Sequence, residues 1–131
     1  MGSEEHKSLY DLFREELTAH LDQLEGALAI LGDPPEVEHL ETLVLAAHSM
    51  KGAARIIGLA LPADLTAAME HLLTAVRAGA PLGSTSRQAI ADSAVWLRQL
   101  EPHDEDTSGP WLATQGDQVR ALVARLVAAR G

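Results

Sequence analysis

A chain of 131 residues, 47% hydrophobic and 22% charged, is sized for one domain around one core, and its lack of cysteine excludes a disulfide framework or a thiolate metal site. A formal net charge of -9 with no offsetting basic cluster argues against nucleic acid and acidic membrane surfaces as partners. No apolar run is long enough to span a bilayer and no basic-then-apolar leader opens the sequence, so the expectation is a soluble cytoplasmic domain occupying residues 1–131.

The first predicted helix covers about residues 4–31. Ser3 followed by Glu4 and Glu5 suits a helix start, and Leu9, Phe13, Leu17, Leu21, Leu24, Leu28 and Leu31 step by threes and fours. Gly32-Asp33-Pro34-Pro35 turns the chain. A second helix spans about 36–57 on a stripe of Val37, Leu40, Leu43, Val44, Ala47, Ala54 and Ile57. A third covers about 62–78, with Pro62 in its first turn and Leu65, Ala68, Met69, Leu72, Leu73 and Val76 on its apolar face. The fourth covers about 84–100, carried by Ile90, Ala94, Leu97 and Leu100 with Trp96 beside them. Residues 101–113 read as an acidic, proline-containing solvated connector. A fifth helix follows over about 114–130, with Thr114 and Asp117 at capping-box spacing and Val119, Leu122, Val123 and Leu126 inward. Short connections make neighbouring helices antiparallel, so the pattern describes an all-α, up-and-down four-helix bundle with an additional C-terminal fifth helix.

The second helix carries an unusual stripe. At about 100° per residue, Lys51, Gly52 and Arg55 lie about -60°, +40° and -20° from His48, while the apolar stripe is about 100° away. His48 therefore sits on the flank of the buried face, where its ring can lie against the bundle and still meet water. Gly52 costs up to about 1 kcal/mol relative to alanine in a helix interior. It would leave the ring unshielded toward a visiting protein, and Lys51 and Arg55 are cations suited to an anion built on His48. The residues alone leave a second reading open, in which His48 is a packing histidine and Gly52 marks a tight helix crossing. The remaining histidines show no metal-ligand spacing, Ser49 has no triad geometry beside His48, and there is no phosphate-binding glycine loop, so no metal or cofactor is expected in this chain.

The segment His48-Ser49-Met50-Lys51-Gly52-Ala53-Ala54 resembles the phosphoacceptor motif of histidine phosphotransfer (HPt) domains, most closely that of the N-terminal domain of chemotaxis-type histidine kinases. The resemblance extends over nearly the whole chain, including the fifth helix. It implies that His48 accepts a phosphoryl group on Nε2 and that Glu70, on the third helix, holds Nδ1–H and orients the ring. It also implies that Lys51 balances phosphate charge, with Gly52 giving access and Arg55 assisting. The partners implied are a kinase ATP-binding domain, which would supply phosphoryl from Mg-ATP, and a response-regulator receiver domain with an acceptor aspartate. No ATP-binding segment lies in these residues, so the chain alone is not expected to label itself. Many chemotaxis kinases carry a second histidine where this chain has Ala67, which implies a smaller hydrogen-bond network here. As an isolated domain the chain is expected to be monomeric. A free-standing relay shuttle and an inert helical interaction module are the alternatives.

Overall fold

The computed structural model describes residues 7–130. Its helices are α1 (Leu9–Ala29), α2 (Val37–Ile56), α3 (Ala60–Arg77), α4 (Ser84–Arg98), α5 (Ser108–Leu112) and α6 (Gly116–Ala129), with no strand among the described residues. The expected all-helical bundle is what forms, with one more short helix than the sequence predicts.

The start of α1 differs from expectation. Ser3 lies outside the described residues, and the helix begins only at Leu9 behind Ser8. Ser8 Oγ accepts from the Asp11 backbone N–H at 3.0 Å, and Asp11 Oδ2 accepts from the Ser8 N–H at 3.3 Å. This reciprocal capping box satisfies two otherwise orphaned donors, and such a cap stabilises a helix by about 1 kcal/mol. The buried face follows from that start: Tyr10, Phe13, Leu17, Leu21, Leu24 and Ala27 point inward. Leu9, expected in the core, is 64% exposed because Tyr10 takes the inward position of the first turn. The Tyr10 hydroxyl donates to the Leu100 carbonyl at 2.6 Å, and burial pushes its pKa up to about 12.

Val37, also expected inward, is exposed as the first residue of α2, and Met50 joins Leu40, Leu43, Val44, Ala47 and Ala54 instead. The predicted apolar face of α3 is wholly buried. Both ends of the α2–α3 pair close with a left-handed glycine. Gly58 has φ +74° and Gly79 has φ +117°. After Gly58 the Leu59 N–H reaches back to the Ala54 carbonyl at 3.0 Å, and after Gly79 the Ala80 N–H reaches the Ala75 carbonyl at 2.9 Å. These are Schellman closures, which require a residue free of a Cβ penalty at positive φ. The first folds α3 directly back along α2.

The C-terminal helix is more than an addition to the side of a bundle. α6 lies against both α3 and α4, which touch each other only sparsely. The helices thus form a ring in the order α1, α2, α3, α6, α4, with Val119 and Leu126 of α6 buried in the shared core.

The connector is also different from expectation. Residues 101–113 were predicted to be a solvated loop, but Ser108–Leu112 form a helical turn. Trp111 is stacked between Trp96, with ring centroids 5.5 Å apart, and His103, at 4.8 Å. Arg14 of α1 donates to the His103 carbonyl at 2.8 Å, which ties the segment down. Asp104 is exposed but locally bonded: its Oδ1 accepts from the Asp106 and Thr107 N–H groups at 2.9 Å. The Thr114–Asp117 cap does not form. Thr114 Oγ1 donates to the Trp111 carbonyl at 2.7 Å, leaving Gln115 as the N-cap of α6 without a side-chain cap, because the turn after α5 already uses the threonine. The Gln115 side chain turns inward and accepts the Trp96 indole N–H at 2.9 Å.

Candidate functional site

Small residues govern how α2 and α3 meet. Ala46, Ala47 and Ala54 on α2 and Ala68 on α3 are buried, and alanines at a helix contact let the backbones approach. Longer flanking side chains then reach across the seam. His48 projects from the flank of α2 and Glu70 from the flank of α3. His48 Nδ1 lies 2.8 Å from Glu70 Oε2. A carboxylate only accepts hydrogen bonds, so Nδ1 carries the proton and Nε2 is left with a free lone pair. The His48 side chain is 61% exposed and Glu70 only 17%. A largely open ring is therefore steered by a largely covered acid.

The second carboxylate oxygen is also engaged. Lys51 Nζ is 2.5 Å from Glu70 Oε1, and the lysine is itself 17% exposed. The sequence suggests a cation standing ready for an anion on His48; the structure places that cation on the acid that orients the ring. Partial burial of Glu70 pushes its pKa up, but the hydrogen bonds from Lys51 and His48 outweigh this and hold it below the usual glutamate value. Glu70 is thus ionised at neutral pH, as its role as acceptor requires.

Gly52 lies one turn beyond His48, and a Cβ built there meets no heavy atom within 4 Å. A tight helix crossing is therefore not the reason for this glycine. Arg55 is exposed and has no hydrogen-bond or ion partner among the described residues. Ala67 offers only a methyl group, so the polar chain is His48–Glu70–Lys51 and extends no further along α3. His71 is exposed on the other side of Glu70 and lines a separate groove with Lys51 and Thr74. Sequence reading missed two features. Arg77 pairs with Glu41 at 3.3 Å, bordering the groove on the His48 side of the seam. Leu45 and Ile56, 64% and 82% exposed, lie on α2 before and after His48. Their three- and eight-residue offsets from His48 were the available signal.

An exposed imidazole with a fixed tautomer is a nucleophile at Nε2. The comparisons with known proteins fit that chemistry. Residues 8–129 match the model of the Hpt domain, and the chain belongs to this family of histidine phosphotransfer domains. Among individual proteins, it is similar to the chemotaxis protein CheA of Listeria monocytogenes and to that of Listeria innocua, at 37% identity over 71 residues in each case. That stretch is 53% of this chain but only 12% of each relative. No solved structure matches. Among the described residues, no helix is long and apolar enough to cross a membrane.

Proposed function

We propose that His48 is the phosphoryl acceptor and donor of a chemotaxis-like, two-component histidine kinase, and that this chain is the phosphotransfer part of that larger protein. The observation that carries the reading is the 2.8 Å contact between His48 Nδ1 and Glu70. In the first step the Nε2 lone pair attacks the γ-phosphorus of Mg-ATP held by a separate kinase domain. An N–P bond forms, the bond to the bridging oxygen breaks, and ADP leaves. The positive charge left on the imidazole is shared through Nδ1–H with the Glu70 carboxylate. In the second step a receiver-domain aspartate attacks the same phosphorus and the N–P bond breaks, returning His48 to its neutral tautomer.

Each neighbour supports these steps. Lys51 fixes Glu70 and supplies positive charge close to the phosphoryl group. Gly52 leaves the approach to the ring open. Arg55 stands about 10 Å further along α2, within reach of a docked partner. The reading as part of a larger protein is supported by a match to one small part of the much longer CheA chains; a cytoplasmic location belongs to the same proposal.

The test is labelling with and without a kinase core. The chain with Mg-ATP alone is expected to stay unlabelled, whereas adding a chemotaxis-type kinase core should produce an acid-labile, base-stable phosphate. Labelling of the purified chain by itself would contradict this division of labour. A coding sequence that continues past residue 131 into dimerisation and ATP-binding regions would decide for the kinase fragment.

A further inference from the structure

The chain is acidic, at a formal net charge of -9, and most of its ten Lys and Arg residues are committed internally. Lys7, Arg14, Lys51, Arg77, Arg87, Arg98, Arg120 and Arg125 all hold a carboxylate or a backbone carbonyl. Among the described residues only Arg55 and Arg130 have no such partner; one lies two turns beyond His48 on α2, and the other lines the groove on the Lys51 side of Glu70. Arg55 extends from α2 beyond Gly52. Arg130, at the end of α6, lines a groove with Lys51, Glu70, His71 and Thr74. Because α6 is wedged beside α3, the residue capping its C-terminal end shares this groove with the acid that touches His48.

A cation at a helix C-terminus offsets the helix dipole, and that role alone accounts for an arginine at position 130. It does not account for a groove shared with α2 and α3 residues of the phosphotransfer site. Resting on the acceptor reading of His48, we propose that Arg55 and Arg130 are two cationic arms of the surface that seats the receiver domain. The occupant between them is the carboxylate-bearing face of that receiver. Charge complementarity selects it: carboxylates are repelled by most of this surface and attracted where uncommitted guanidinium groups stand, one beyond Gly52 on the helix of the ring and one in the groove lined by Lys51 and Glu70. Size permits it as well. An ordinary interface covers about 800 Å² per partner, a disc of roughly 16 Å radius, which exceeds the about 10 Å along α2 from His48 to Arg55. The C-terminal helix thereby becomes part of the transfer interface.

Two measurements test this. In the first, an octa-aspartate peptide is titrated into the chain at low salt and the arginine side-chain Nε–Hε resonances are followed. Saturable shifts confined to Arg55 and Arg130 are expected. Shifts of equal size at Arg120, exposed but paired with Asp117, would overturn the proposal. In the second, phosphotransfer is measured to whichever receiver domain of the same genome takes the label fastest. Arg130→Glu should raise the receiver KM about five- to tenfold with kcat within about twofold, in keeping with rim charges acting on encounter. Labelling of His48 by the kinase core should not change. Arg120→Glu makes the same charge change on the same helix and should leave KM unchanged. Equal effects of the two variants, or none, would overturn the proposal, as would a loss confined to kinase labelling. If His48 is never labelled the acceptor reading fails, and the peptide titration still decides the fate of the two arms.

Discussion

Glu70 Oε2 stands 2.8 Å from His48 Nδ1 while Glu70 Oε1 stands 2.5 Å from Lys51 Nζ, so one carboxylate joins a nucleophile candidate to a cation on the same helix. The ring is thereby held from α3 and its holder is held from α2. Orientation of this kind is rigid without burial of the ring itself.

Glu70→Ala is expected to slow His48 labelling by about tenfold or more, because the ring loses both its fixed tautomer and the acid that shares its developing charge. The fold should survive, with unfolding free energy lowered by about 1–3 kcal/mol, since His48 can turn to solvent while the mostly covered Lys51 loses its partner. Single-turnover labelling and urea unfolding of the same variant separate the two effects. Unchanged labelling would remove Glu70 from the mechanism.

The lowered pKa of Glu70 gives the site a pH signature. A group depressed in the folded state contributes stability that is present above its unfolded pKa and is lost as pH falls through its folded one. The difference in urea midpoint between wild type and Glu70→Gln should therefore be constant near neutral pH and shrink from about pH 5 downward. A difference that grows in acid would contradict the ionised pairing.

Gly52 predicts opposite signs for stability and function. With open space around its missing Cβ, Gly52→Ala should stabilise the chain by up to about 1 kcal/mol. Gly52→Gln adds bulk toward the ring's approach and should slow labelling by the kinase core while remaining folded. Destabilisation by alanine would mean that the glycine serves packing.

The C-terminal part of the ring has its own test. Gln115→Ala removes the acceptor of the buried Trp96 indole N–H, and an unsatisfied buried donor costs about 1–3 kcal/mol. Urea unfolding followed by tryptophan fluorescence reads that loss. His48 labelling at temperatures where the chain is folded should be unaffected.

Much of this fold can be read in the sequence, because four helices carry leucine and alanine at three- and four-residue steps and are separated by glycine and proline. The start of α1 was misplaced because acids directly after Ser3 also suit a first helical turn, whereas the capping-box spacing belongs to Ser8 and Asp11. α5 and the Trp96–Trp111–His103 stack were hidden because a polar, proline-containing segment has no periodicity, and its order comes from contacts with α1 and α4. The wedge position of α6 depends on how α3 and α4 diverge, which no single helix encodes. At the site, helical geometry placed His48 on the flank of α2, but the chain holds many acids, and only the family resemblance singled out Glu70. The Lys51–Glu70 contact went unforeseen because an anion on the ring and a carboxylate on α3 present the same attraction to a lysine.

The most direct test of the central claim is the location of the phosphoryl group after labelling by a chemotaxis-type kinase core. The acceptor reading predicts an acid-labile phosphate at Nε2 of His48, found by peptide mass spectrometry and phosphorus NMR, and no label in His48→Gln. Equal labelling of His48→Gln, or a phosphate located on another residue, would contradict it.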